Sequence, residues 1–457
     1  MNTIYILSGL GILSLIGAMF DLRKVIPYAL LIGLVFGIVS LILHWGETAH
    51  YFNHMIALDA YSSIYMLVIL LILFIWTLAF GGEMMHQEYG FEKFALVFFS
   101  AIGGLFMISF NHLVILFLGI ETLSIPLYVL AASHKHDSSS IESGIKYFLL
   151  SSMATGFLLF GIALIYGASG SFQMDQIQSL INTNTLHIPA LFPLGVILTL
   201  VGLCFKVSAA PFHFWTPDVY EGAPTEFTAF MSTSVKVAAF AGLYRFLTWT
   251  IDPVAHPIIT IILVCSILSI VIGNLLANFP SSAKRLLAYS SIAQAGYLMI
   301  PLIHIQSDTQ KVLVFGLVAY VLASLALFTV IYAMEKNMGR IEIKSFNGLG
   351  KTNPVLALCI SICLFSLAGI PPLAGFIGKY MIFTQAMSAG LIWLTILAII
   401  FSLIGVYYYF KIVIAMYLQP TDHNRSHSFD KRLLLSVIIL SALLVLFGIF
   451  PDLIFQL

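Results

Sequence analysis

The chain has 457 residues, of which 60% are hydrophobic and only 9% charged, and its mean hydropathy is +1.03. A soluble globule needs a polar surface that this composition cannot supply, so the sequence indicates a polytopic membrane protein. The chain has 20 basic residues (lysine and arginine together) and 20 acidic residues (aspartate and glutamate together), so its formal net charge is zero. This balance gives no sign of a nucleic-acid partner.

The apolar residues fall into runs of roughly 18 to 25, the length that crosses about 30 Å of hydrocarbon as an α-helix. The sequence lacks the alternating strands of a membrane barrel, so the expected fold is all-α. We predict about 14 transmembrane helices, with limits good to a few residues. They cover residues 2–20, 25–45, 57–80, 93–110, 112–132, 144–168, 190–211, 226–249, 256–279, 284–305, 311–334, 353–385, 390–418 and 432–453.

Basic residues near the span ends predict the orientation, because lysine and arginine accumulate on the cytoplasmic side. If the spans alternate, nearly all basic loop residues lie on one side, and only Arg245 and Lys311 lie opposite. The first run is followed, not preceded, by basic residues, which is the reverse of a signal peptide. We therefore expect residues 2–20 to be a span and both termini to lie outside.

Two predicted spans are interrupted by proline and glycine. The breaks fall around Pro211 in span seven and around GIPPLAG, Gly369–Gly375, in span twelve. A broken helix is tolerated within a membrane only against protein or a water-filled cavity.

The breaks suggest an internal repeat. Spans four to eight and nine to thirteen form two blocks of five, each broken in its fourth member. Because five is odd, the second block must be inverted, which is a transporter architecture. The predicted domains are an N-terminal three-helix segment, 1–90, a first repeat, 91–250, a second inverted repeat, 251–420, and a C-terminal helix, 421–457.

A few ionisable side chains lie inside the predicted spans, where each costs about 3 kcal/mol or more unless it is paired, hydrated or neutral. Desolvation favours the neutral form of a lysine, so a buried lysine can exchange a proton near neutral pH. These side chains are Glu121, Lys146, Lys206, Lys236, Lys379 and Lys411.

Four of these positions are the strongest candidates for proton transfer. Lys206 precedes the break at Pro211 and Lys236 lies deep in span eight, so neither should reach the membrane interface. Glu121, half-way along span five, is the expected counter-charge of one of them; the alternative is a carboxylate held in a structural hydrogen bond. Lys379 follows the second break and is the central cation of its block. The alternative is that its side chain snorkels to a nearby outer end of the span.

Other candidates have equally good structural explanations. Lys146 opens span six and Lys411 lies in the last third of span thirteen, so snorkelling explains each as well as proton transfer does. His213 adjoins the first break and His112 opens span five, where each could pass protons or simply pack against polar neighbours.

Metal binding is not predicted. His50 with His54, and His423 with His427, have the i, i+4 spacing of metal ligands, but both pairs lie in loops without carboxylate support. The four cysteines form no CxxC pair, which argues against an iron–sulfur or zinc site. Asp218, Glu221 and Glu226, between the two lysines of the first block, are interpreted as turn and capping groups, although a proton entrance would use the same residue types.

Three motifs carry a resemblance to a known family. They are KVSAAPFHFWTPDVYEGAP at 206–224, NLLANFPSSAKRLLAYSSIAQAGYL at 274–298 and SLAGIPPLAGFIGKY at 366–380. The chain closely resembles the antiporter-like membrane subunits of respiratory complex I, and the match extends over nearly its whole length.

The resemblance implies roles for individual residues. Glu121 corresponds to the central acid of a proton channel, Lys206 to its broken-helix lysine, and Lys236 to the lysine that connects the two blocks. Lys379 corresponds to the lysine of the second block. Lys146 and Lys284 also coincide with lysines of family members, with less defined roles.

The resemblance also implies a function and partners. The chain is expected to be a proton-translocating subunit of a bacterial NADH–quinone oxidoreductase, multi-pass in the inner membrane. It would hold no redox centre, so quinone, flavin and iron–sulfur clusters would belong to partner subunits. The expected partners are other antiporter-like and small helical subunits and the lipid bilayer. The alternatives are a subunit of a cation/proton antiporter and a scaffold that has lost pumping.

Overall fold

The computed structural model of the chain describes residues 1–183, 185–187, 189–250, 255–420 and 430–455. These residues are helical almost throughout. The one sheet among them is an antiparallel hairpin of β1 (Ala49–Tyr51) and β2 (Ile56–Leu58), with His50 opposite Ala57. Within the described ranges, eleven helices are long and apolar enough to cross a membrane, which confirms the all-α polytopic fold.

Each predicted span coincides with a helix or a pair of helices. The shorter apolar helices α8 and α16 are the first halves of the predicted broken spans. In chain order the helices are α1 (Asn2–Met19), α2 (Ile26–Leu43), α3 (Ala60–Met84), α4 (Gly90–Ser109), α5 (Leu113–Ala131), α6 (Ser138–Ser169), α7 (Met174–Asn182), α8 (Leu191–Lys206), α9 (Trp215–Gly222), α10 (Thr225–Phe230), α11 (Lys236–Thr250), α12 (Ala255–Leu276), α13 (Ala283–Ile303), α14 (Thr309–Met338), α15 (Leu349–Thr352), α16 (Pro354–Ala368), α17 (Ala374–Ser388), α18 (Ile392–Leu418), α19 (Lys431–Ile449) and α20 (Asp452–Phe455).

The helices pack into two compact units. The first comprises Met1–Val207 and Ser234–Ile261, and the second comprises Ser208–Thr233 and Ile262–Leu457. The chain therefore leaves the first unit directly after α8, contributes α9 and α10 to the second, and then returns. The predicted domain limits near residues 90, 250 and 420 stay a prediction.

The first predicted break follows α8. The helix ends at Lys206, and the backbone then passes through Ser208, at φ +64°, and the cis Ala210–Pro211 bond before α9 begins. After α10, Met231–Val235 forms a π-helix that leads directly into Lys236. Short π segments interrupt the regular stacking of side chains and are frequent at functional sites.

The second predicted break follows α16. Gly369, at φ +86°, closes the last turn, and a cis Pro371–Pro372 bond precedes α17. Left-handed backbone at the end of a helix favours glycine, because it has no Cβ to clash with the following carbonyl. The interruption that GIPPLAG predicts is therefore confirmed.

Glycines allow α4 and α5 of the first unit to approach closely. A Cβ added at Gly103 would lie 2.2 Å from the backbone nitrogen of Leu123 and 2.6 Å from the carbonyl oxygen of Gly119. Ser100 Oγ also donates to the Leu123 carbonyl oxygen at 2.7 Å. Small residues at such contacts give membrane helices close packing in place of a hydrophobic driving force. This contact fixes the helix that carries Glu121.

We expect Gly103→Ala to destabilise the protein, because the new methyl group would collide with backbone atoms that cannot rotate away. Overpacking of this kind costs about 1–3 kcal/mol. Gly156→Ala in α6 is the matched control, since nothing lies within 4 Å of its added Cβ. Thermal unfolding of the purified protein in detergent measures both. Equal melting temperatures for the two variants would contradict the close approach of α4 and α5.

Candidate functional site

Lys206 is the hub of a buried polar site in the first unit. It is 3% exposed, and its Nζ donates to Ser124 Oγ on α5 and to Ser151 Oγ on α6, each at 2.7 Å. It is also the last residue of α8, where the helix dipole favours a cation. Both oxygen partners are neutral, so loss of the proton from Nζ would leave no buried carboxylate unpaired.

The two serines are themselves held in place. Ser124 Oγ donates to the Ile120 carbonyl oxygen, and Ser151 Oγ accepts a hydrogen bond from Tyr128 at 2.7 Å. The hydroxyl groups therefore keep partners whether or not the lysine is protonated.

Glu121 lies on α5 near this site and interacts with it electrostatically. Its carboxylate interacts electrostatically with Lys206, but the described residues contain no direct ion pair between the two. The pairing that the sequence suggests is thus longer than a salt bridge, with Ser124 and Ser151 bound to the ammonium instead. Leu118 and Ile125, one turn to either side, are 47% and 54% exposed. Glu121 therefore lies at the edge of an open face of α5.

Lys236 is the most deeply buried of the candidate lysines. It is 1% exposed and begins α11 immediately after the π-helix. A charged side chain buried this deeply is energetically costly, as the position of Lys236 in span eight predicts.

Lys379 forms the corresponding site in the second unit. Its Nζ donates to the Ala368 carbonyl oxygen at 3.0 Å and to Ser402 Oγ on α18 at 2.8 Å, and lies 4.9 Å from the centroid of the Tyr297 ring. Ala368 is the last residue of α16, so its carbonyl belongs to the partially negative end of that helix. Each broken helix therefore has a lysine ammonium at the C-terminal end of its first half. At 9% exposure, Lys379 does not snorkel to an outer surface.

Lys379 also lines a small cavity with Gln294, Tyr297, Tyr320 and Ser366. The space open to the centre of a water molecule is about 20 Å³, enough for one water. An ammonium group has three donors, and two of them are used by Ala368 and Ser402. The third can therefore bond to a water in this cavity.

The secondary candidates fall in different surroundings. Lys146 lies 2.6 Å from Glu142 as an i, i+4 pair on the partly exposed surface of α6, where such pairs contribute little to stability. Lys411 Nζ donates to the Asn278 carbonyl oxygen at 2.7 Å. His213 is buried, with its ring stacked on Phe214.

Lys284 holds the segment between α9 and α10. Its Nζ donates to the Ala223 carbonyl oxygen at 2.8 Å and lies 3.6 Å from Glu335 Oε1. Thr225 Oγ1 donates to the other oxygen of Glu335 at 2.6 Å. These contacts give Lys284 a structural role at the start of α10.

The interpretation of Asp218 and Glu221 as turn and capping groups missed an ion-pair network. Arg285 lies 3.0 Å from Asp218 Oδ1 and 2.7 Å from Glu221 Oε2, and Arg340 pairs with Glu221 as well. The three-residue spacing of the two carboxylates puts them on one face of α9, which is the signal that would have suggested a shared basic partner.

Arg245 is one of the two basic residues that the predicted topology puts on the opposite side from the others. It forms a buried ion pair with a structural role. It is 5% exposed, and its guanidinium lies 3.2 Å from Asp59 and 3.3 Å from the Ile108 carbonyl oxygen. The rings of Tyr61 and Trp249 lie 5.4 and 5.3 Å from its Cζ. A buried, paired arginine of this kind does not report on membrane orientation as a loop residue does.

Only one of the two histidine pairs lies within the described residues. The rings of His50 and His54 have centroids 4.8 Å apart, and in the described ranges no three metal-ligating side chains come together. His423 and His427 lie outside the described residues.

Buried lysines at the ends of broken helices, with a carboxylate near one of them, define an ion-translocating membrane protein of the antiporter-like class. Residues 110–405 match the family described as "NADH:quinone oxidoreductase/Mrp antiporter, TM". The chain belongs to this family.

Relatives match the chain over its full length. It is 43% identical to NADH-quinone oxidoreductase subunit N of Cytophaga hutchinsonii, covering 100% of this chain and 99% of the relative. It is 40% identical to the subunit N of Flavobacterium johnsoniae, with 100% of both covered.

Solved structures share the fold. A chain of respiratory complex I from Thermus thermophilus with bound Aureothin is 34% identical, with a TM-score of 0.84 and coverage of 99% of this chain and 98% of that one. A chain of the Mrp complex from Dietzia has a TM-score of 0.86 at 21% identity, covering 98% of this chain and 93% of that one, which shows the fold alone.

Proposed function

We propose that this chain is a proton-translocating membrane subunit of a bacterial NADH–quinone oxidoreductase, in the position of subunit N. The observation that carries the proposal is the lysine at the end of each broken helix. Lys206 and Lys379 are buried, and hydroxyl and carbonyl oxygens hold their ammonium groups in place of carboxylates. Such a lysine can lose or gain a proton without abandoning a charged partner.

Glu121 is proposed to couple the first lysine to the rest of the complex. Because Glu121 and Lys206 interact through space, a change in the charge of one changes the energy of a proton on the other. Quinone reduction in a partner subunit would begin the change, and Lys236 and Lys379 would load and release the proton in sequence.

The redox groups are proposed to reside elsewhere in the complex. Flavin, iron–sulfur clusters and quinone would be held by partner subunits, and this chain would contribute only the proton path. The partners would include further antiporter-like subunits and small helical subunits. The chain would span the bacterial inner membrane with both termini on the periplasmic side.

The test is Glu121→Gln in the assembled complex. We expect proton translocation to fall about tenfold or more, equivalent to about 1.4 kcal/mol or more, because the carboxylate can no longer change charge. Proton uptake by inverted membrane vesicles and quinone reduction are measured together. Glu142→Gln, on the exposed surface of α6, is the matched control. Wild-type values for both activities in an intact Glu121→Gln complex would contradict the proposal.

A cation/proton antiporter subunit is the second candidate, favoured by the fold shared with the Mrp complex. It needs the same buried lysines, so translocation alone does not separate the two functions. Co-purification does. A complex I subunit copurifies with a quinone-reducing assembly, whereas an antiporter subunit supports sodium-dependent proton exchange without redox partners.

A further inference from the structure

The first unit has a cleft at the end of the bundle where α1 begins and α2 ends. Its volume is about 210 Å³, about ten times the 20 Å³ of space beside Lys379, so it accepts a group much larger than a water molecule. Residues of α1, α2, α3 and the β-hairpin line it, and none of the described lining residues belongs to the proposed proton path. The cleft is therefore a separate site.

The cleft combines buried apolar side chains with exposed polar ones. The apolar lining residues that are at most 8% exposed are Ile4, Leu41 and Met66. The lining residues that are exposed are all polar, namely Asn2, His44, Glu47 and Tyr51. Such a lining suits an amphiphilic ligand, which has one polar end and one apolar end.

Glu47 and His44 supply hydrogen-bond acceptors. The Nδ1 atom of His44 lies 2.8 Å from the Ser40 carbonyl oxygen, which can only accept, so Nδ1 carries the proton. In the neutral ring, Nε2 is then an acceptor. The Glu47 carboxylate is a second, charged acceptor. These two groups match a primary ammonium, which has N–H groups to donate to both.

Asn2 and Ser40 supply donors beside these acceptors. Asn2 Nδ2 donates to Ser40 Oγ at 3.4 Å, which leaves the amide a second N–H group to donate. The described residues that line the cleft include no lysine or arginine. A phosphate could therefore bond to neutral donors here, but a ligand with a net negative charge would meet Glu47 without a cation to offset the repulsion.

Exposed apolar side chains continue from the cleft along α1 and α2. Residues three or four positions apart share one face of a helix. Tyr5, three positions after Asn2, is 62% exposed, and Phe36, four positions before Ser40, is 66% exposed. A ligand with its polar end in the cleft would thus find apolar surface for hydrocarbon chains along the same helices.

We propose that the cleft binds the headgroup of a zwitterionic phospholipid with a primary ammonium, of the phosphatidylethanolamine type. The ammonium donates to Glu47 and His44, the phosphate accepts from Asn2, and the acyl chains lie over Tyr5 and Phe36. The site concerns the membrane around the chain and is independent of the proposed function. A phosphatidylcholine headgroup has no N–H to donate and phosphatidylglycerol is anionic, so both should bind less well.

The test is photocrosslinking in nanodiscs that contain the assembled complex. Phosphatidylethanolamine, phosphatidylcholine and phosphatidylglycerol each carry the same diazirine on one acyl chain. Mass spectrometry compares labelled peptides of α1 and α2 with those of α18, where Ile396 and Leu403 are 54% and 66% exposed and report contact with bulk lipid. Relative to α18, we expect phosphatidylethanolamine to label α1 and α2 about tenfold more than the other lipids do, because a charge-assisted hydrogen bond is gained.

Three results of this comparison would overturn the proposal. Equal labelling by the three lipids would show ordinary bilayer contact only. Strongest labelling by phosphatidylglycerol would show an anion site. Labelling of α18 without α1 and α2 would show that another subunit covers the cleft.

Glu47→Gln removes the charge of the carboxylate and keeps the size of the side chain. We expect it to lower the preference for phosphatidylethanolamine about tenfold, because a charge-assisted hydrogen bond becomes a neutral one. Thr48→Ala is the matched control, since Thr48 is an exposed neighbour that does not line the cleft. An unchanged preference in Glu47→Gln would overturn the assigned contact. Excess phosphoethanolamine should not compete, and full competition by this soluble ester would overturn the assignment to a lipid.

Discussion

Replacement of Lys206 by methionine is expected to lower proton translocation by about a hundredfold, the scale on which a positioned proton-transfer group acts. Methionine keeps the length and apolar stem of the side chain, so α8 can still pack on α5 and α6. Ser124 and Ser151 keep their bonds to Ile120 and Tyr128. The complex should therefore assemble, and vesicle proton uptake driven by quinone reduction measures the loss.

Lys206→Arg distinguishes a proton carrier from a fixed charge. Arginine stays protonated in proteins, so it preserves the positive charge at the end of α8 but cannot release a proton. We expect Lys206→Arg to be as defective as Lys206→Met. Normal pumping with arginine would show that the site needs only a cation. Ser152→Ala, on the exposed side of α6 beside Ser151, is a control that leaves the ammonium and its partners in place.

Much of the fold was predictable because the membrane imposes strict rules on sequence. The length and hydropathy of apolar runs predict the spans. The breaks at Pro211 and Gly369 are predicted by proline and glycine, which end helices. The hairpin of β1 and β2 and the amphipathic helix α7 were not predicted. They lie between spans, where Asn111 joins them by bonding to the His54 carbonyl oxygen and to Asp175. Contacts between distant loops leave no periodic pattern in a sequence.

The site was predictable in its residues but not in its partners. The burial of Lys206, Lys236 and Lys379 follows from their places in apolar runs. The sequence favoured a carboxylate beside Lys206, whereas two serines bind it directly and Glu121 acts from further away. Serines are common and uninformative in a sequence, so only the packing of α5, α6 and α8 shows which of them face the lysine.

Lys379→Met is expected to reduce pumping as strongly as Lys206→Met, because the proposed path needs a protonatable group in each unit. It should also weaken the second break. The Ala368 carbonyl oxygen and Ser402 lose their donor, and a buried acceptor without a partner costs about 1–3 kcal/mol. Quinone reduction, proton uptake and melting temperature of the same preparation separate the two effects. Ser402→Ala removes one partner and keeps the ammonium, so a smaller loss is expected.

The double variant Lys206→Met, Lys379→Met tests whether the two lysines act in one path. If a proton must pass both, the first substitution already stops the flow and the second adds nothing, so the double variant pumps like either single variant. If each unit conducts its own proton, each single variant keeps about half of the pumping and only the double variant loses it all. Catalytic groups that act as a unit show the first pattern, with strongly non-additive effects. Non-additive losses would therefore support the proposed transfer through Lys236, and two independent losses would contradict it.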